Sequence, residues 1–370
     1  MNVAIERVEA FGVAVPLVGE GFKNAYTTKK VQKSVIVRVT SASGAVGLGN
    51  IDPSPGYSED TVDDSLAVIR EVLAACALGH DGSNVHRLLE RMALAQAGFL
   101  DAKAALEMAC TDLVARACGV PVHTWLGGAV RDRVSFNAWI GILPPEQAAR
   151  EAKEWFGRGF RAAKIKVGGG IDADCDRVRA VREAVGDTME LRIDANAGYD
   201  ADTSIRLARR LEGVRLQLFE QPVPADDLAG MARVRREGGG VPIMADESVL
   251  DHASLLAIIR ADAADLVKLK VMKQGGFLPT RRMLETASAA GLRVVIGHGF
   301  GLGVNTVAEI MLAATSAAVI DGLECVGPLK TADDIVTKKL DLMSGSIALP
   351  DGPGLGVELD MAKVDRYRFA

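Results

Sequence analysis

The sequence predicts an α/β fold: a closed parallel (β/α) barrel with an N-terminal α+β capping domain that the C-terminal segment completes. Three observations carry this expectation. Residues 1–128 run from period-two alternation into helical periodicity without interleaving the two. Residues 129–327 alternate short apolar runs with amphipathic helices, and polar residues recur at the ends of those runs at a nearly constant interval.

The first unit opens with VAIERVEAFGVAV and SVIVRVTSASGAVGLG, both strand-like, the second turning at Ser43-Gly44. TVDDSLAVIREVLAACALG and AKAALEMACTDLVARACG then space apolar residues three and four apart, which predicts helices, and Gly119 supplies a stop. After Leu126-Gly127-Gly128 come eight strand candidates: SFNAWIGI, AAKIKV, ELRIDAN, LQLFEQP, PIMADES, DLVKLK, RVVIGHG and GLECVGP. Nearly all precede a helix, as a (β/α) barrel requires. Residues 328–370 are strand- and turn-like, have no place in an eight-unit barrel, and are expected to return to the cap.

Composition narrows the function. At 370 residues the chain is long enough for two domains. A net charge of −5, with no basic block interleaved with aromatics, argues against nucleic acid or an anionic membrane as partner. Glu6, Arg7 and Glu9 interrupt the N-terminal apolar stretch, which reads as a first strand rather than a signal peptide. No run reaches the ~18 apolar residues of a membrane span. The cysteines are scattered, odd in number and free of any CxxC pair, so neither a disulfide framework nor a zinc site is expected. A reduced cytoplasmic protein fits best.

The chemistry is expected where a barrel of this kind carries it, at the C-terminal ends of the strands. Reading polar residues there yields Lys166, Asp194, Glu220, Asp246, Lys270, His298 and Glu324, in steps of 24–28 residues. Asp194, Glu220 and Asp246 end three consecutive strands. One such acid alone is usually a helix cap, but three in register make a set of hard oxygen ligands suited to Mg2+. Asn196 is expected to hydrogen-bond behind these ligands, and Glu247 to do the same or to serve as an alternative ligand.

The lysines form two K-x-K pairs, Lys164/Lys166 and Lys268/Lys270, and side chains two apart on a strand share a face. Lys166 and Lys270 end strands two and six, opposite each other, with the acidic strand ends between them. A lysine serves as a base only when its pKa falls toward neutrality, which a neighbouring cation brings about. Lys164 and the metal stand beside Lys166 for that purpose, and Lys268 beside Lys270. The alternative is that the lysines merely balance the carboxylates. His298 and Glu324 each have a catalytic and a scaffold reading. The glycines of GHGFGLG read as a tight turn, since the context of a dinucleotide fingerprint is missing.

KIK at 164–166, DAN at 194–196, EQP at 220–222, ADES at 245–248 and KLKVMKQGG at 268–276 together resemble the enolase superfamily, in its muconate-lactonizing branch. The resemblance spans essentially the whole chain. It implies a modified TIM barrel with cap, Mg2+ (Mn2+ as a substitute) on Asp194, Glu220 and Asp246, and Lys166 and Lys270 as the acid/base pair. It also implies a small carboxylate substrate, proton transfer next to its carboxylate through a metal-stabilised enolate, and a homo-oligomer. A mandelate-racemase-like pairing of His298 with a strand-six Asp fails, because Lys270 holds that position. A cap loop at residues 16–32, with Phe22 and Tyr26, is expected to cover the substrate. TTKKVQKSVIVRV and ECVGP favour a muconate-type cycloisomerase. The alternatives are a racemase, epimerase or dehydratase of small carboxylates, and an inactive binding barrel, which would lack a ligand or a base. Exchange of the substrate α-proton with D2O separates the first two.

Overall fold

A computed structural model describes residues 2–19, 22–23 and 28–370. The N-terminal unit is a three-stranded antiparallel sheet, Ile5–Pro16, Val31–Ser41 and Val46–Ile51 in that order, packed on the long helix Leu100–Ala117. The approach is close because two positions on one face of the third strand lack side chains. A Cβ on Gly47 would lie 2.0 Å from the Ala109 carbonyl oxygen, and one on Gly49 1.9 Å from that of Ala105.

The barrel strands are Asn137–Ile140, Ala162–Lys166, Glu190–Asp194, Leu216–Glu220, Ile243–Ala245, Leu266–Leu269 and Arg293–Ile296. They form one parallel sheet in sequence order. The eighth candidate, GLECVGP, departs from the expected regular strand. It closes the ring through two isolated bridges, Val294 to Val319 and Phe136 to Leu323, and the Glu324 N–H donates to the Ile296 carbonyl at 2.9 Å. Gly322 breaks the ladder. Its φ of 82° is left-handed, and a Cβ there would meet Ala162 and Arg192 at 2.8 Å.

The barrel interior is layered by strand alternation. Leu218, Met244, Leu266, Val295 and Ile320 form an apolar cluster of their own. Leu218, Met244 and Leu266 each lie two residues before Glu220, Asp246 and Lys268, and so share their faces. A dry plug thus lies directly beneath the charged strand ends.

The C-terminal segment returns to the cap. The Ala332 N–H donates to the Pro16 carbonyl and the Phe369 N–H to the Gly12 carbonyl, at 2.8 and 2.9 Å. Cap and barrel are also stitched by Glu107 on the long cap helix. Its carboxylate accepts the Phe277 and Leu278 N–H groups at 2.7 and 2.9 Å, at the N-terminus of helix Phe277–Ala289. Among the described residues, no helix is long and apolar enough to cross a membrane.

Candidate active site

Asp194 and Glu220 end adjacent strands in register, and Asp246 follows the next one directly. All three are fully buried. Buried carboxylates must be paired, and here lysines pair them. Lys164 Nζ lies 2.9 Å from Glu220 Oε2, 3.2 Å from Asp194 Oδ2 and 2.5 Å from Glu324 Oε2. Lys268 Nζ lies 3.0 Å from Glu220 Oε1, 3.5 Å from Asp246 Oδ2 and 2.5 Å from Glu324 Oε2.

The two inner lysines are therefore near mirror images about a line from Glu220 on strand four to Glu324 on the closing segment. The outer lysines repeat the mirror. Lys166 donates to Asp194 Oδ2 at 2.6 Å and to Asn196 Oδ1, while Lys270 donates to both Asp246 oxygens at 2.7 and 3.0 Å.

The charges set one another's protonation. Burial pushes Asp194 up, but Lys166 and Lys164 outweigh it and hold its pKa below the usual carboxylate range. Asp246 goes well below that range for the same reason, with Lys270 the main opponent of burial. Glu220 is pushed up to about 8 by burial, with Asp194 adding to it. For Lys166, burial lowers the pKa but the charges of Asp194 and Glu220 win, and the pKa rises. The sequence predicts that Lys164 together with the metal depresses Lys166, and Lys164 by itself does not bring this about. The carboxylates outweigh both burial and the lowering charge of Lys268.

Around this core the structure gathers Asn196, whose Nδ2 donates to Tyr57 Oη at 2.8 Å and to Glu247 Oε1 at 3.2 Å. Asn196, Ala197 and Gln221 take left-handed φ of 47°, 60° and 34° immediately past strands three and four. Such strain concentrates at functional sites. His298 lies at the mouth with Nε2 3.0 Å from the Asp52 carbonyl oxygen of the cap, and burial, then Lys270, hold its pKa well below the usual range. Glu324 is clamped between Lys164, Lys268 and Arg192, which hold it charged against burial. That is the geometry of a cross-barrel brace. Tyr26 lies outside the described residues, and Phe22 is described by its backbone alone.

Sequence reasoning passed over three groups here. Arg192 lies two residues before Asp194 and shares its face, so the K-x-K logic applied to R-x-D would have found it. Lys273 Nζ donates to the Asp246 carbonyl at 2.7 Å and lies 3.4 Å from its Oδ1. Tyr57 of the cap has its ring 4.6 Å from Lys270 Nζ, and nothing in the sequence signalled that.

A cavity of about 680 Å³ opens above these groups. It is lined from the barrel by both K-x-K pairs, Trp139, His298 and Phe300, and from the cap by Lys29, Ser54 and Tyr57. Among the described residues, no three acidic, His or Cys side chains converge as a ready cage for a metal, since ammonium groups lie on the carboxylate oxygens. The donor chemistry nevertheless fits a hard divalent cation: three buried carboxylates on neighbouring strand ends, each now balanced by lysines.

Residues 7–127 match the family described as mandelate racemase / muconate lactonizing enzyme, N-terminal domain, and residues 147–363 match the enolase C-terminal domain-like family. The chain is 34% identical to the L-Ala-D/L-Glu epimerase of Bacillus subtilis, over 95% of this chain and 96% of that one. It is 32% identical to muconate cycloisomerase 1 of Rhodococcus opacus, over 99% of each. Its structure superposes on the N-succinyl Arg/Lys racemase of Bacillus cereus with a TM-score of 0.94 at 27% identity, covering 100% and 99% of the two chains. Two family matches that together span cap and barrel, and relatives of this identity and coverage, make the chain a member of the enolase superfamily, in its muconate-lactonizing branch, and an isomerase.

Proposed function

We propose that the protein catalyses proton exchange at the carbon next to a substrate carboxylate, using one lysine on each face, and so racemises or epimerises a small acylated amino acid or related carboxylate. The observation that supports this most is the mirror arrangement of Lys166 and Lys270, each hydrogen-bonded to its own strand-end carboxylate. A reaction confined to one face needs one proton carrier. A reaction that inverts configuration needs two, on opposite faces.

Members of the superfamily bind Mg2+, and Asp194, Glu220 and Asp246 are the residues that would hold it here. When bound, such a cation supplies fixed positive charge where negative charge develops on the substrate carboxylate. The chain's own residues do the rest. Lys166 Nζ takes the α-proton from one face and Lys270 Nζ returns one from the other, or the reverse for the opposite enantiomer. The charges that raise the Lys166 pKa are those of Asp194 and Glu220, so neutralising these carboxylates leaves burial, which favours the free amine a base requires. Glu324, Lys164, Lys268 and Arg192 hold the frame in register, and Tyr57 and the cap exclude water from it.

Muconate-type cycloisomerisation is the second reading. The ECVGP stretch at 324–328 and the 32% identity to a muconate cycloisomerase favour it. The test is proton NMR in D2O on Mg2+-loaded protein, with N-acyl amino acids, dipeptides and cis,cis-muconate. The expected result is deuterium at the α-carbon from both enantiomers with scrambled configuration. Lactone formation from muconate without exchange in any amino-acid derivative would overturn the first reading in favour of the second.

A further inference from the structure

A buried ion pair stands behind the mouth of the barrel. Asp174 and Arg177 lie three residues apart near the start of helix Ile171–Val185, and Arg177 Nη1 is 2.5 Å from Asp174 Oδ1. Such a pair is weak evidence of stability, because well-packed apolar side chains would seat the helix as well. What this pair holds is loop backbone. Asp174 Oδ2 accepts the Gly168 and Gly169 N–H groups at 2.8 and 3.2 Å, and the Tyr199 hydroxyl. Arg177 donates from Nε to the Leu143 carbonyl at 2.6 Å and from Nη1 to the Lys166 carbonyl at 3.2 Å. Leu143 follows barrel strand one, Lys166 to Gly169 end and follow strand two, and Tyr199 follows strand three. One pair therefore ties three consecutive strand-to-helix loops on the side of the mouth where Lys166 stands.

The backbone at Lys166 needs such a hold. Strand one ends at Ile140, which pairs with Ile165, so the Lys166 carbonyl lies past the ladder on that side. After Val167 come Gly168, Gly169 and Gly170, all exposed, with φ of 124° at Gly168 and 113° at Gly170. Three consecutive glycines have the greatest conformational freedom and no side chains to anchor them. Asp174 and Arg177 supply the anchor from the helix behind. Lys270 is held by other groups. Its N–H donates to Gln274 Oε1 at 2.6 Å, and that of Val271 to Glu309 Oε1 at 3.0 Å. The two outer lysines rest on separate supports.

We propose that Asp174 and Arg177 are a positioning pair for Lys166, fixing the backbone from which its amine reaches the reacting carbon, and that they serve its face of the substrate and not that of Lys270. The inference deepens the reading above and rests on it for there being two faces.

The test uses Arg177→Met and the double variant Asp174→Leu/Arg177→Met, which leaves neither charge buried without its partner. Mg2+-loaded parent and variants are given N-acetyl amino acids in D2O, L and D separately, and α-deuteration is followed by NMR. The enantiomer that loses exchange in Lys166→Ala should lose about ten- to a hundredfold of kcat in both variants, the scale of a misplacement near 1 Å. Its KM, and exchange of the other enantiomer, should stay within about threefold of the parent. Mg2+ binding and thermal unfolding report whether each variant folds. Equal losses for both enantiomers, or none for either, would overturn the proposal. Amide hydrogen exchange gives a readout that needs no substrate. The Gly168 and Gly169 amides should exchange at least about tenfold faster in the double variant, and those of Lys270 and Val271 at the parent rate. Unchanged rates at the glycines would overturn the proposal. A parent protein that deuterates neither enantiomer, with the glycine rates raised as expected, would overturn the racemase reading and leave the hold on Lys166 standing.

Discussion

The two members of each K-x-K pair live in different electrostatic company. Lys164 and Lys268 each bridge Glu220 to Glu324 across the barrel, so removing either unbalances two buried acids at once. Lys166 and Lys270 each sit on one strand-end acid that has other cations beside it: Asp194 keeps Lys164, and Asp246 keeps Lys268 and Lys273. Two residues of strand separate the inner lysine, which spans two acids, from the outer one, which rests on a single strand-end acid. Loss of an outer ammonium would leave its carboxylate paired with the remaining cations. A proton carrier has the same requirement, since it must change charge in every turnover.

The largest expected effect is that of metal removal. EDTA should abolish α-proton exchange, read by NMR in D2O, and Mg2+ should restore it. Activity that persists after exhaustive chelation would remove the reason for three buried acids at the strand ends.

Next in size is the inner pair. Lys164→Met and Lys268→Met should each cost about 3 kcal/mol in urea denaturation, because a buried acid loses part of its balance. Lys166→Met and Lys270→Met should cost about half as much or less. Equal losses at all four positions would break the distinction between the pairs.

A smaller effect sharpens it. Calorimetry should find Mg2+ bound by Lys166→Met and Lys270→Met within about threefold of the parent affinity, or more tightly, because an ammonium competing for Asp194 or Asp246 is gone. Loss of metal binding in these variants would make the outer lysines structural after all.

The smallest effect concerns a buried acid held by backbone N–H groups instead of lysines. Burial raises Glu107 from 4.5 to about 7 against the hydrogen bonds it accepts. Its folded pKa lies above its unfolded one, so the stability it contributes is full below pH 4.5 and is lost as pH rises toward about 7. Glu107→Gln should flatten that part of the stability-versus-pH curve, measured by urea denaturation. An unchanged slope would mean that other buried acids carry it.

Much of the floor was legible in the sequence because strand alternation and barrel closure turn spacing into position. Lys164, Lys166, Asp194, Glu220, Asp246, Lys268 and Lys270 all meet there. The irregularity of the eighth strand was not legible, because it turns on a left-handed Gly322 whose carbonyl accepts from Arg192 of a distant strand. Arg192 escaped notice because attention stayed on strand ends rather than on the residue two before. The meeting of Lys29 and Lys330 at the Phe300 ring was invisible for a different reason. Lys330 lies past the last barrel segment, in a tail whose path depends on tertiary docking, and Lys29 comes from the cap. Only the folded chain brings them to one ring.

The central claim is that Lys166 and Lys270 serve opposite faces of one reacting carbon. The most direct measurement follows deuterium incorporation separately for each enantiomer of an exchanging substrate, in Lys166→Ala and in Lys270→Ala. Each variant should still exchange the α-proton of one enantiomer and lose exchange of the other by about a thousandfold or more, with opposite preferences in the two variants and no interconversion in either. Loss of the same enantiomer in both variants, or robust interconversion in either, would contradict the assignment.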